Sequence, residues 1–438
     1  MKYTPHVASS ILIASVQSVL RLFCAAIFAG ALFVQAQTLT VLHSFAGGAD
    51  GAYPYAGLTQ DAAGNLYGTT YVGGTSQCPN FADGCGVVFK LSHRGSGWIT
   101  NLLYTFRGQP DGQYPMARVI VGPDGALYGT TTQGGTGSCQ NLYGCGTVFK
   151  LQPPPSFCAG FSCPWRETIL YSFSSRQDGY NPLAELVFDR AGNIYGTTAN
   201  GGGGANCNND GCGTVFKLTP NSNGTWTKTT VYAFQGGTND GAYPDAGVVI
   251  DQNGNLYGTT GAGGGSGNCY SGGCGTAFEL TPGSSGWTET LLHRFANSED
   301  GVNPEQLTFD SNGNLWGYTP YGGPIMGGAI FKLIPVQGGG AAFSVQYTFV
   351  DGQGVSNPLT LDANGNIYAS AEGGLNSPQQ VYSLTQSGGG WNFSSLYMFT
   401  GDYYLPVGAI VRDGAGTIYG ATIDGGSYGK GLIYELTP

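Results

Sequence analysis

The residues whose types and spacing could do chemistry are a recurring acidic segment and a set of close cysteine pairs. Asp-Gly-x-x-Pro is written at Asp50, Asp111, Asp178, Asp240 and Asp300, with Tyr53, Tyr114 and Tyr243 directly before three of the prolines. Degraded copies surround Asp351-Gly352 and Asp402. A set of such carboxylates could hold a cation or hydrogen-bond the hydroxyls of a sugar. The same residues also make a turn, in which Asp accepts backbone N–H bonds, Gly supplies a positive φ and Pro fixes the start of the next strand. A residue required at every copy is most simply part of the copy, so turn chemistry explains the aspartates most economically. Tyr53, Tyr55, Tyr71, Tyr114, Tyr143, Tyr243, Tyr270 and Tyr321 fall in or near these segments and offer rings for a sugar or a peptide. The plainer alternative is that tyrosine is abundant, with 27 in the chain.

A second acidic series, Asp61, Asp189, Asp251, Asp310, Asp362 and Asp413, resembles a fragment of a calcium loop. It lacks the other ligands and the closing glutamate, and Gly122 stands where the second copy should have its acid. Turn chemistry again suffices, and no metal or cofactor is expected. Catalytic constellations are absent: there is no His-Glu-x-x-His and no Gly-x-Ser-x-Gly elbow in a strand-to-helix setting. His43 and His293 occupy a strand position filled elsewhere by Tyr104, Tyr171 and Tyr232, and read as packing residues.

Eleven cysteines are present, and all but Cys24 fall into five close pairs: Cys78/Cys85, Cys139/Cys145, Cys158/Cys163, Cys207/Cys212 and Cys269/Cys274. Residues 1–36 read as an export signal, with Lys2 and Arg21, the apolar run Leu22 to Val34, and small residues at Val34 and Ala36. That run is shorter than the roughly 18 to 20 residues of a spanning helix, so no membrane association is expected after cleavage. Close pairing in an exported chain predicts disulfides, and a secreted, periplasmic or extracellular location follows. The net charge of -10 and the thin spread of 16 Lys and Arg exclude the basic face that nucleic acid requires.

These residues must be positioned by something, and the chain supplies it by repetition. Gly192-Asn193-Ile194-Tyr195-Gly196-Thr197-Thr198 has seven copies, whose shared aromatics are Tyr67, Tyr128, Tyr195, Tyr257, Trp316, Tyr368 and Tyr419. Their spacings of 61, 67, 62, 59, 52 and 51 residues are those of a propeller or an array. Within one unit, Ala184–Asp189, Ile194–Thr198, Gly213–Leu218 and Thr225–Phe234 read as four strands joined by turns, with no helical period. The expectation is an all-β, seven-bladed β-propeller of four-stranded antiparallel blades, one domain over residues 37–438. Leu39 to Phe45 matches a fourth strand and Gly431 to Thr437 a third, so the amino-terminal strand should complete the last blade. Turns such as Asp251 to Asn255 lie on one face, which looks structural. The cysteine loops and Asp-Gly-x-x-Pro segments share the other, with a rim tall at the long loops of units one to four and low at units five and seven.

The unit Gly-Asn-x-Tyr-Gly-Thr-Thr…Gly-Gly…Gly-Thr-Val-Phe-Lys-Leu resembles the bacterial Gloeo/Verruco tandem repeat of exported "choice-of-anchor" proteins, across the chain after residue 36. The resemblance implies an extracellular β-propeller. No apolar tail follows Pro438, so surface anchoring is not expected. The function expected is binding of a carbohydrate or protein ligand by a monomer on its loop-rich face, through Asp50, Tyr53, Asp111, Tyr114, Asp178, Asp240, Tyr243, Asp300 and Tyr321. The alternative is a polysaccharide hydrolase or lyase on the same scaffold, whose paired carboxylates would stand roughly 5 to 10 Å apart.

Overall fold

The computed structural model describes residues 37–438, apart from residues 76–77, 79–82, 96, 140–142, 156–162, 205, 208–209, 266–268, 270–271, 298, 324–325, 337–338, 350–353, 356, 372, 374–378 and 401–404. The expected export signal, Cys158, Tyr270, Asp351 and Asp402 therefore lie outside the described residues. Thr38–Thr437 forms one compact unit. Among the described residues no helix is long and apolar enough to cross a membrane.

Seven four-stranded antiparallel sheets make the blades of a β-propeller. Blade 1 runs Thr59–Gln60, Leu66–Thr70, Val87–Arg94 and Gly97–Thr105, and the pattern recurs with first strands at Ile120–Val121, Val187–Phe188, Val249–Ile250, Thr308–Phe309 and Thr360–Leu361. Blade 7 takes Pro406–Arg412, Ile418–Thr422 and Leu432–Thr437 from the end of the chain and Thr38–Ser44 from its start. Each of the first six blades has a β-bulge between its third and fourth strands, as at Val88/Phe89 and Val215/Phe216. The closing pair has its own, between Val41 and His43. The amino-terminal strand thus reproduces the irregularity of a fourth strand as well as its place.

The core explains the repeated letters. Phe89 on the third strand lies opposite Gly68 on the second, where an added Cβ would stand 2.5 Å from the ring. The glycine of Gly-Thr-Thr is therefore there to seat the ring. Each ring in turn receives a phenylalanine from the preceding blade: Phe106–Phe149, Phe173–Phe216, Phe234–Phe278 and Phe295–Phe331 have centroids 5.1, 5.3, 5.1 and 5.0 Å apart. Phe349–Tyr382, Phe399–Tyr434 and Phe45–Phe89 complete the circle at 5.5, 5.4 and 5.2 Å. These rings are buried, and their edge-to-face and tilted packing is the preferred aromatic geometry. Seven contacts of one kind close the ring through its core as the strand exchange closes it through hydrogen bonds.

Among the described residues four disulfides join both partners, Cys78–Cys85, Cys139–Cys145, Cys207–Cys212 and Cys269–Cys274. Of the fifth expected pair, Cys163 is itself disulfide-bonded. The second cysteine of each of the four lends its carbonyl to the next blade: Tyr114, Asn181, Tyr243 and Asn303 donate their N–H groups to Cys85, Cys145, Cys212 and Cys274 at 2.8–3.1 Å. At the closing seam Tyr53 donates to Lys430 instead, at 2.9 Å. The disulfides brace the loops that clasp one blade to the next.

Candidate functional site

Two of the acidic series are turn chemistry in detail. Asp189 Oδ1 accepts the N–H groups of Ala191 and Asn193 at 2.9 and 2.8 Å, and its Oδ2 accepts from Asn193 Nδ2 and the Tyr195 hydroxyl at 2.6 and 3.2 Å. Asp61, Asp251, Asp310 and Asp362 repeat this, with Trp316 Nε1 in place of the hydroxyl at Asp310. In blade 2 Asp124 takes over from the missing acid at Gly122, accepting from Ala126 N–H and Tyr128. The Asp-Gly-x-x-Pro carboxylates cap the turn that leaves the fourth strand. Asp50, Asp111, Asp178, Asp240 and Asp300 each accept a backbone N–H four or five residues upstream, at 2.6–3.1 Å.

Those five aspartates share a partner as well. Tyr104, Tyr171 and Tyr232 donate their hydroxyls to Asp111, Asp178 and Asp240, while His293 Nε2 stands 3.0 Å from Asp300 and His43 Nε2 3.4 Å from Asp50. The two histidines thus serve as ion-pair or hydrogen-bond partners in addition to packing on Phe295 and Phe45. Because these partners lie on fourth strands, the aspartates sit at the seams between outer strands and do not gather at the axis. Tyr53, Tyr114 and Tyr243 hold φ of 58° each, a region asparagine tolerates better and fills at Asn181 and Asn303. Tyr114 is buried and stacks on Tyr71 with centroids 4.6 Å apart, and Tyr71 meets Tyr55 edge-on at 5.4 Å. Lys430 Nζ bonds the Tyr53 hydroxyl at 2.7 Å and lies over its ring. Tyr321 is exposed.

The axis is built by residues between each proline and the first strand. A cavity of about 260 Å³ is lined by all seven blades, among them Tyr55, Arg118, Glu185, Asp245, Glu305, Gln306 and Asn357. Arg118 pairs with Glu185, and Gln306 joins the pair by donating to Glu185 Oε1 at 3.0 Å and accepting the Gly247 N–H at 3.1 Å. The Glu185 charge holds the Arg118 guanidinium more firmly protonated. Tyr318 donates to Glu305 Oε2 at 2.6 Å.

Asp245 stands apart from this network. Its surface is accessible because it faces the cavity, yet protein surrounds it, and burial together with the Glu305 charge pushes its carboxyl up to about 7. Its side chain has no hydrogen-bond partner among the described residues. Asp245 and Leu183 also line a second cavity of about 380 Å³, whose walls carry Asn181, Asn200, Tyr243 and Asn303. A polar, unsaturated site therefore opens beside the axis between blades 3, 4 and 5. The turn face, expected to be structural, carries a cleft of about 840 Å³ walled by Phe188, Ile250, Tyr257 and Phe309.

Of the residues picked out by sequence, only Tyr55 and Tyr243 line these axial cavities. Arg118, Glu185, Asp245, Glu305 and Gln306 were missed. The signal for them was divergence at a fixed place in the repeat: Gly57, Arg118, Glu185, Gly247, Gln306, Pro358 and Ala409 each precede a buried apolar residue, which in the first six blades comes directly before the first strand, and the two charged ones have opposite sign.

No curated protein matches the chain. A fungal alcohol oxidase of the AA5 family, solved in complex with copper, aligns over 92% of this chain and 76% of its own at 14% identity, with a TM-score of 0.53. A protein of unknown function from Dyadobacter fermentans covers 92% of this chain and 99% of its own at 11% identity and a TM-score of 0.44. One from Lactobacillus plantarum covers 81% and 95% at 14% and 0.45. At such identity the oxidase likeness speaks to the fold alone. The profile of the Gloeobacter/Verrucomicrobia repeat matches residues 28–272 and again 208–434. With seven blades built on that repeat, the chain belongs to the Gloeobacter/Verrucomicrobia repeat family.

Proposed function

We propose that this is an exported, non-catalytic propeller that binds a carbohydrate on its loop face, in the pocket beside the axis. The observation that carries the reading is the juxtaposition of three amides, Asn181, Asn200 and Asn303, with the unpartnered carboxylate of Asp245 and the ring of Tyr243 around about 380 Å³. Amides both donate and accept, a carboxylate accepts twice, and a sugar ring presents hydroxyls and an apolar face to match. The Tyr114–Tyr71–Tyr55 stack leads to the same axis from blades 1 and 2. The four disulfides suit an oxidising compartment.

A glycan array followed by calorimetry tests it. The expected outcome is saturable binding that Asp245→Asn weakens about 10-fold or more, since a hydrogen bond to a charged group is worth roughly 1.5–3 kcal/mol. Binding that ignores the substitution would move the site elsewhere. One observation favours a second reading, a hydrolase. Asp245 carries a raised carboxyl facing Glu305, the division of labour between two acids that glycoside hydrolysis uses. Release of reducing ends from a polysaccharide panel, abolished by Asp245→Asn and by Glu305→Gln, would establish it over simple binding.

A further inference from the structure

Strand register exposes a place where one blade departs from the others. Two residues beyond the equivalent third-strand leucines Leu91, Leu218, Leu280 and Leu384, the fourth-strand partners are Trp98, Trp226, Trp287 and Trp391. In blade 2 Trp165 directly precedes Arg166, the partner of Gln152, and so takes the same place. Five of the chain's six tryptophans therefore fill one repeat position. Each lies against the second-strand aromatic of the preceding blade. Trp98 meets Tyr419, Trp165 meets Tyr67, Trp287 meets Tyr195 and Trp391 meets Trp316, edge-on with centroids 5.6, 6.4, 6.1 and 5.8 Å apart, and Trp226 packs into the cluster of Tyr128. In blade 5 the same register gives Ala341, the partner of Pro335, and it packs against the cluster that holds Tyr257 of blade 4.

The same ring has lost a cation. In blades 1, 2, 3 and 5 the third-strand residue opposite the aromatic is Lys90, Lys150, Lys217 or Lys332, whose ammonium lies over the ring at 5.4, 5.6, 5.5 and 5.0 Å. In blade 4 it is Glu279, which accepts the Tyr257 hydroxyl at 2.8 Å. Blade 6 sets Arg412 4.7 Å from the Tyr368 ring, and blade 7, with Glu435 opposite Tyr419, keeps Trp98. Among the described residues, Tyr257 is thus the one second-strand aromatic with neither an indole nor a cation against it. The turn-face cleft of about 840 Å³ opens at this place: Tyr257, Phe309 and Pro335 are on its wall, Phe188 and Ile250 extend it, and the Tyr257 and Phe309 centroids are 5.8 Å apart. Asp189, Asp251 and Asp310 stand on its rim; Asp310 pairs with Lys332 at 3.6 Å, and Arg190 is the only cation among the lining residues.

We propose that this cleft is a second binding site, for a small planar aromatic compound that bears an ammonium group, an arylalkylamine by class. Its ring takes the place of the missing tryptophan against Tyr257 and Phe309, in the edge-on geometry that the other seams use. Its ammonium faces Asp251, whose Oδ2 accepts the Tyr257 hydroxyl at 3.4 Å, and supplies the positive charge that a lysine supplies over the equivalent rings. The two groups this seam lacks are the two halves of such a molecule. None of the residues lining the cleft lines the axial cavities, so the site stands or falls apart from the carbohydrate reading.

Calorimetric titration of tryptamine into the full disulfide-bonded chain is the test, with indole-3-acetate, the same ring carrying the opposite charge, as the comparison. Wild type should bind one tryptamine per chain, and indole-3-acetate about 10-fold or more weakly. Ala341→Trp, which restores the residue of five other blades, should weaken tryptamine about 10-fold or more by filling its place. Asp245→Asn should leave tryptamine binding as in wild type. Wild type that does not saturate at millimolar tryptamine, equal affinity for the two compounds, undiminished binding by Ala341→Trp, or binding that follows Asp245 would each overturn the proposal. Ser311→Arg covers the case in which Ala341→Trp fails to fold: Ser311 is an exposed residue on the lining, and a guanidinium there should lower tryptamine affinity about 3-fold. Wild-type affinity in that variant would overturn the proposal equally.

Discussion

Two rings of equivalent positions run round this molecule and behave oppositely. In the interior, Phe45, Phe106, Phe173, Phe234, Phe295, Phe349 and Phe399 make the same contact at seven seams. Around the axis, Gly57, Arg118, Glu185, Gly247, Gln306, Pro358 and Ala409 fill one repeat position with six different residue types, only glycine recurring. A position that every blade fills alike is answering a demand that every blade makes, namely burial against its neighbour. A position that varies from blade to blade answers something that lacks sevenfold symmetry, and a bound ligand is such a thing. The polar network of Arg118, Glu185 and Gln306 is where the chain departs furthest from its own symmetry.

Breaking the uniform ring should cost the most stability. Phe216→Ala removes a fully buried ring that Phe173 packs on, and should destabilise by about 3–5 kcal/mol in urea unfolding. Asp245→Asn, beside the axis, should leave the urea midpoint at pH 4, where the wild-type carboxyl is protonated and as neutral as the amide, within the scatter of an exposed substitution while changing ligand affinity. If the two variants exchanged these behaviours, the division between scaffold and site would fail.

The next effect is smaller and tests the seams against each other. Replacing Cys207 and Cys212 by alanine should cost about 2 kcal/mol, the loop-closure entropy of so short a crosslink. It should also speed hydrogen exchange at the Tyr243 amide, whose acceptor is the Cys212 carbonyl. At the closing seam Lys430 supplies that carbonyl and has a cation over Tyr53 in place of a disulfide, so Lys430→Met should cost under about 1 kcal/mol.

A separate effect is in pH. The Asp245 carboxyl is raised to about 7 in the fold from an unfolded value near 4. The folded state therefore holds this proton more tightly, and the stability it lends is fully present below about pH 4 and lost as pH rises through 7. The wild-type unfolding free energy should decline across that window relative to Asp245→Asn, and equal slopes for the two would contradict the assignment.

The fold was legible because repetition amplifies weak signals. One copy of Ile194–Thr198 is an ambiguous apolar run, and seven copies at nearly constant spacing are a ring. The closing strand was legible for the same reason, since Leu39 to Phe45 matches a fourth strand that other units spell out. First strands came out shorter than read, two residues at Val187–Phe188 against the six of Ala184–Asp189, because the residues before them turn away to line the axis. The aspartates at Asp111 and Asp240 were recognised as turn residues, but their radial place was not, because chain order along a blade does not say which strand a capped turn folds back on. Repetition also hid the axial site. Searching for what recurs discards Arg118, Glu185 and Asp245, whose importance lies in not recurring, and the exchange of the seam tryptophan for Ala341 becomes visible only once strand register aligns the blades.

The central claim is that the axial cavities around Asp245 and Glu185, and not the outer-strand seams, meet the ligand. The most direct measurement is calorimetric titration of the best glycan-array hit into wild type, Asp245→Asn, Glu185→Gln and the seam variant Asp178→Asn. We predict one site per chain, weakened about 10-fold or more by either axial substitution and unchanged by Asp178→Asn. Binding that follows Asp178 and ignores the axis, or no glycan retained by wild type at all, would contradict the account.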